Sequence, residues 1–175
     1  ELSTWNTNLD HDLLLSPCVA NPMTATWHIR AAPASDTQAL IRCIDAAYKP
    51  YAERIPDLPA VSEGCAEEIA AQRVWVAVMG ETTVIGGLFL LPQPDAMKLA
   101  NVAVDRDHGS KGIGRALIAH AEQESIRQGY TVLTLNTHVA MPGNIAFYTR
   151  LGWTETARHG NTVSMRKDLR EAGHV

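Results

Sequence analysis

Residues 108–117 read HGSKGIGRAL, directly after the apolar run LANVAV at 99–104 and directly before a helix-like pattern. A strand, a glycine-rich loop and a helix N-terminus together make an anion site, because loop and helix amides converge with the positive end of the helix dipole behind them. Phosphate is the expected guest. Glycine suits such a loop because side chains would block close approach of the backbone and because some positions need positive φ. The spacing narrows the ligand. A nucleotide-hydrolysing loop needs Gly-x-x-x-x-Gly-Lys-Ser/Thr, whereas Lys111 precedes its glycine and no Ser or Thr follows. A dinucleotide fingerprint is Gly-x-Gly-x-x-Gly in an early βαβ unit, whereas Gly109, Gly112 and Gly114 give the reversed order far down the chain.

Working outward, the helix after the loop carries Ile113, Leu117 and Ala121 four residues apart, with Gly129 placed to end it. Upstream, RVWVAVMG and TVIGGLFLLPQ read as two strands of a hairpin, and MKLANVAV as a third. TWHIRAA is a first strand, followed by an amphipathic helix capped by Asp36 and built on Leu40, Ile41, Ile44 and Ala47. That helix should give way to the aromatic segment AYKPYAERIP, and a second helix is expected near Ser62–Gln72. Downstream, TVLTLNT alternates as a strand, residues 143–151 look helical, and WTETAR and TVSMRKDL close the pattern as strands. The order β-α-α-β-β-β-α-β-α-β-β implies an α/β (α+β) domain with helices layered on one mixed sheet. Residues 1–25 read as an N-terminal arm, 26–170 as the domain and 171–175 as a tail. An arm of this kind is expected to pack on its own body or on a neighbouring molecule, which keeps a homodimer in view.

At 175 residues and 46% hydrophobic composition, the chain can bury one sizeable core. A formal charge of -4 gives no bulk attraction to nucleic acid or anionic membrane, and no basic stripe with interleaved aromatics is visible. No apolar run approaches the roughly 18 residues that span a bilayer, so the expected compartment is the cytoplasm. Cys18, Cys43 and Cys65 are odd in number and lack Cys-x-x-Cys spacing, and the seven histidines are scattered. Neither a disulfide framework nor a metal site is expected.

The chain resembles the GCN5-related N-acetyltransferases through NVAV at 101–104, SKGIGRAL at 110–117 and NIAFYTRLGW at 144–153, in that order. The resemblance runs from about Trp27 to Leu169. It implies a mixed, twisted sheet of six to seven strands flanked by about four helices, with acetyl-CoA as co-substrate wedged where two central strands splay apart. It implies that backbone groups of Val102, Ala103 and Val104 pair with the pantetheine arm, and that amides from Gly109 through Ser110, Lys111, Gly112 and Ile113 to Gly114 hold the pyrophosphate. The Lys111 and Arg115 side chains meet CoA phosphates or point to water. Asn144 lines the pantetheine channel or caps a helix. Tyr148 sits beside the thioester sulfur as the acid that protonates the departing thiolate, or packs as a core aromatic next to Phe147. A phenol with a pKa near 10 can serve as that acid at neutral pH. Tyr48, Tyr51 and Asn101 fall where this family builds its acceptor wall, although tyrosines there also suit simple packing.

Two positions depart from the family pattern. Gly109 stands where the loop usually begins with Gln or Arg, and Ala100 stands where close relatives of the pattern carry a glutamate base. A positioned base is worth roughly 100- to 10,000-fold. Its absence matters most for lysine-like amines, about 0.04% unprotonated at pH 7, and least for α-amines near pKa 7.8, about 14% unprotonated. The expected acceptor is therefore a primary amine of a small molecule or amino acid with a low pKa, unless another group takes over as base. His138 is the leading replacement, with Tyr51, Glu53 and Asp95 behind it, and a surface loop position is the other reading of His138. A CoA-binding module without turnover and a protein-modifying transferase are the competing functions.

Overall fold

The computed structural model describes residues 26–58 and 60–170. The N-terminal arm, the tail and Cys18 lie outside the described residues.

The chain runs β1 (Trp27–Ala31), α1 (Thr37–Ala52), α2 (Cys65–Ala70), β2 (Val74–Met79), β3 (Thr83–Pro92), β4 (Met97–Val104), α3 (Ile113–Arg127), β5 (Val132–His138), α4 (Pro142–Arg150), β6 (Thr154–His159) and β7 (Thr162–Asp168). The seven strands form one sheet in the order β1-β2-β3-β4-β5-β7-β6. Neighbours are antiparallel except β4 and β5, which are parallel because α3 carries the chain back across the sheet. The architecture is the mixed sheet with four helices that the sequence pattern implies.

Alternation along the strands feeds a separate core on each face. Leu88, Val102 and Leu133 pack with Ile113 and Leu117 of α3 and Phe147 and Tyr148 of α4. On the opposite face Val76, Val78 and Ala103 pack with Leu40, Ile44 and Tyr48 of α1 and Ile69 of α2. Gly87 lies so close to α1 that an added Cβ would stand 2.4 Å from Leu40 Cδ1, so α1 sits directly on the sheet there. Gly129 ends α3 as expected: at φ +87° it lets Tyr130 N–H reach Ser125 C=O (2.9 Å) while its own amide donates to Ile126.

Three local readings change. Asp36 does not cap α1 through its side chain. It lies in a short 3-10 turn, Ala34–Asp36, and its buried carboxylate pairs with Arg30 of β1. Helix α1 runs through Pro50 to Ala52. A proline this near a C-terminus removes one helix bond, and burial of Tyr48 and Tyr51 on the same helix offsets that loss. Helix α2 is shorter than the pattern suggests, starting only at Cys65 after a left-handed Gly64.

Among the described residues no helix is long and apolar enough to cross a membrane, and no group of three His, Cys, Asp or Glu side chains could hold a metal ion. Cys43 and Cys65 are buried free thiols, and burial pushes Cys43 up to about 12, with the nearby Asp105 adding to the effect.

Candidate functional site

Strands β4 and β5 are in register at only two positions, Met97 opposite Leu133 and Lys98 opposite Thr134. Beyond them the strands part, while β4 keeps its ladder to β3 through Val102 opposite Leu88 and Val104 opposite Gly86. The sheet therefore opens in its middle, and the Val102–Val104 backbone forms one lip of the opening.

A bulge re-aims one residue on that lip. Phe89 opposes Asn101 and Leu90 opposes Leu99, so Ala100 is the extra residue in β4. Two consecutive residues consequently face the α1 layer. Ala100 joins its apolar core, and Asn101 accepts a hydrogen bond from the Tyr48 hydroxyl (3.1 Å) while donating to the Val61 carbonyl (3.1 Å). Both Tyr48 and Asn101 are buried. These two residues meet; Tyr51 is buried a turn away against Ile55 and Met141.

At the end of β4 the chain makes a 3-10 turn, Arg106–His108, then enters the glycine stretch. Gly112 adopts φ +74° with nothing within 4 Å of where a Cβ would stand, and Ser110 adopts φ +63° without being glycine. Such conformations turn successive amides toward a common point. The first turn of α3 leaves the amides of Ile113, Gly114 and Arg115 without intrahelical acceptors. Gly109 differs from the residues that follow it in that its amide already donates to Arg106 C=O (3.2 Å). Ser110, Lys111 and Arg115 are exposed at its mouth.

Helix α4 supplies the third wall. Its N-terminal turn places Asn144, buried, with Nδ2 directed at Met141 Sδ (3.6 Å). One turn later Tyr148 is fully buried, edge-on to Phe147 (5.5 Å) and to Trp153 (5.6 Å), and its hydroxyl has no hydrogen-bond partner among the described residues. Burial holds the phenol well above its ordinary pKa of 10, and Tyr48 adds to the shift. The two phenols come from the cores of opposite faces of the sheet and are near enough to interact.

His138 is placed differently from a free base. It is buried at the end of β5, Nδ1 accepts the Ala140 amide (3.1 Å), and Nε2 faces Asp57 at 3.4 Å. With Nδ1 accepting, the neutral ring carries its proton on Nε2 toward Asp57, which leaves no lone pair for a substrate amine. Glu53 lies exposed beyond the end of α1, and Asp95 is exposed in the β3–β4 turn.

On the α1 side a cavity of about 610 Å³ is lined by Asp45, Tyr48, Lys49, Leu58, Val61 and Ser62 among others, so Tyr48 and Val61, the partners of Asn101, border it. Sequence reasoning missed Val61, Asp57 and the left-handed Ser110. The carbonyl of Val61 and the contact of Asp57 arise only from folding, and nothing about a serine announces positive φ.

A family model described as the acetyltransferase (GNAT) family matches residues 39–153, which include every wall of this opening. The chain belongs to that family. The [ribosomal protein bS18]-alanine N-acetyltransferase of Escherichia coli (strain K12) is 36% identical over 77 residues, covering 42% of this chain and 52% of the relative. N-acetyltransferase 8B of Rattus norvegicus is 32% identical over 90 residues, covering 49% of this chain and 40% of the relative. The chain spans about half the length of the curated relatives it matches. Among solved structures, the PaiA N-acetyltransferase of Thermoplasma acidophilum, crystallised with coenzyme A, superposes with a TM-score of 0.72 at 20% identity, covering 82% of this chain and 99% of that one. The ribosomal-protein-S18-alanine N-acetyltransferase of Escherichia coli gives 0.68 at 21% identity, with 82% and 94% covered. At such identities these likenesses describe the fold of this GNAT domain.

Proposed function

We propose that the chain transfers an acetyl group from acetyl-CoA to a primary amine of low pKa by direct attack. The single observation that carries this is the Tyr148 hydroxyl on α4, fully buried, without a hydrogen-bond partner among the described residues and held protonated by burial. A buried hydroxyl left without a partner costs roughly 1–3 kcal/mol, a cost that binding of a polar group there would relieve.

The residues present fit acetyl-CoA. Ser110 and Gly112 at positive φ and the N-terminus of α3 suit a pyrophosphate, and the β4 edge at Val102–Val104, with the buried Asn144 on α4, suits the amide-bearing arm that follows it. Lys111 and Arg115, exposed beside the cradle, add positive charge for phosphates. Acetyl-CoA supplies an acyl carbon activated as its thioester. Tyr148, protonated at working pH, donates its proton to the departing thiolate.

The acceptor enters from the α1 side. Tyr48, whose hydroxyl donates to Asn101, lines the cavity on that side and presents a polar ring edge to the incoming amine. No carboxylate stands at position 100, and the His138 ring is engaged on both nitrogens. The amine must therefore arrive unprotonated to a useful extent, which favours an α-amino group over a lysine side chain. A small amine or amino acid is one source of such a group. A protein N-terminus is the second: alanine has no nitrogen but its α-amine, and the bS18 relatives are named for acetylating alanine.

The test is CoA release and product mass with a panel holding free amino acids, polyamines, an alanine-terminated peptide and an N-terminally blocked lysine peptide. The expected result is acetylation of α-amines and none of the blocked lysine peptide at neutral pH. Tight acetyl-CoA binding with no amine-stimulated release would replace the enzyme reading with that of a CoA-binding module.

A further inference from the structure

The end of β5 carries a polar junction that acetyl transfer itself does not use. Asp57, six residues beyond Tyr51, accepts a hydrogen bond from Asn161 Nδ2 (2.7 Å) in the β6–β7 turn, 104 residues away. Its two carboxylate oxygens each lie 3.4 Å from His138 Nε2. The junction is stiff on its far side. The His138 ring is buried, its Nδ1 accepts the Ala140 amide, and Val139 N–H donates to the Asn161 carbonyl (2.9 Å). The end of β5 and the β6–β7 turn thus form one braced unit, and Asp57 is the group that ties the segment after α1 to it.

What that segment carries gives the tie its meaning. Tyr51 and Ile55 pack on Met141, the residue at the start of α4, and Leu58 bridges this cluster to the core holding Tyr48 and Val61. Backbone bonds from Arg54 and Ile55 to Tyr51, and from Leu58 to Ile55, link the stretch from Tyr51 to Leu58 end to end. Helix α4 bears Asn144 and Tyr148. The acceptor wall of α1 and the helix of the proposed acid therefore meet at Met141, with the Asp57 junction beside them.

We propose that Asp57 is a positioning residue: through Asn161 and His138 it sets the acceptor wall of α1 against α4, and so governs how an amine is held for attack without touching the CoA cradle. This rests on the functional reading above. Reacting groups lose rate steeply when misplaced by about 1 Å, so a loosened wall raises acceptor KM more than it disturbs acetyl-CoA binding. Asp57 itself is more than half exposed, with a side-chain exposure of 52%, so its replacement leaves no buried cavity.

The test is a double-mutant cycle of Asp57→Ala and Asn161→Ala in the whole chain, read two ways. The first readout is the rate of trypsin nicking after Arg54, an exposed residue whose neighbour Ile55 is buried in the Met141 cluster and reaches the protease only when the segment loosens. The second is the acceptor KM and kcat for the best amine of the panel, alongside the acetyl-CoA dissociation constant. Each single variant is expected to speed nicking and raise acceptor KM by about three- to ten-fold, the scale of one net hydrogen bond, with acetyl-CoA affinity within about two-fold. The double variant should be no worse than the worse single one, because both substitutions break the same junction. Unchanged nicking in both variants overturns the junction, whether or not any amine is acetylated. Faster nicking with unchanged acceptor KM, additive effects, or equal weakening of acetyl-CoA overturns the positioning role.

Discussion

Replacing Tyr148 with phenylalanine separates chemistry from packing at one atom. The ring stays edge-on to Phe147 and Trp153, and the hydroxyl removed is buried with no hydrogen-bond partner among the described residues to strand. Stability should hold or rise by roughly 1 kcal/mol, since the variant removes an unsatisfied polar group. Turnover should fall by about 100-fold or more, the lower range for loss of a positioned general acid, or roughly 2.7 kcal/mol of barrier. Thiol release monitored at saturating acetyl-CoA and amine measures kcat, calorimetry measures acetyl-CoA affinity, and a thermal melt measures Tm. The expected set is a collapsed kcat, near-native affinity and an unchanged or raised Tm. A kcat within about three-fold of the parent would refute the assignment, as would a loss of activity that merely follows a loss of fold.

Other consequences are measurable in the same preparations. Gly112→Ala places a Cβ in open space at φ +74°, so its cost is conformational, about 1–2 kcal/mol, and acetyl-CoA affinity should fall with it; a variant binding acetyl-CoA as the parent does would remove the loop from the cradle. Gly87→Ala drives a Cβ to 2.4 Å from Leu40, an overpacking cost of roughly 1–3 kcal/mol seen as a lowered Tm. Cys43 is raised from 9.0 to about 12, so the native state holds its proton while the unfolded state loses it; stability is whole below pH 9 and declines as pH climbs toward 12, by up to roughly 4 kcal/mol. Urea titrations between pH 8 and 11 should show that decline in the parent and a shallower one in Cys43→Ala.

The order of elements along the chain was legible because its signals are local. The hairpin of β2 and β3, the reversed glycine spacing and Gly129 at the end of α3 each state their geometry within a few residues. The opening between β4 and β5 was legible only through family resemblance, since two register pairs and then none is a property of the assembled sheet. Asp36 shows how tertiary partners displace a local role: it has the residue type of a helix cap, yet Arg30 lies within reach and takes the carboxylate. Pro50 shows the same for a breaker, kept in helix by the burial of the tyrosines on either side. The bulge that turns Asn101 toward Tyr48 depends on pairing with Phe89 and Leu90, and the junction at Asp57 joins residues 81 and 104 positions apart. No window of sequence contains those contacts.

The central claim is transfer to an unprotonated low-pKa amine without a protein base, and the pH dependence of kcat/KM for an alanine-terminated peptide tests it most directly. The account predicts a rate rising tenfold per pH unit up to the pKa of the peptide's own amine, near 7.8, and shifting when that amine is exchanged for one of different pKa. The limb should persist in His138→Gln. A limb that stays at one pH whatever the amine, and disappears with a single side chain, would contradict it.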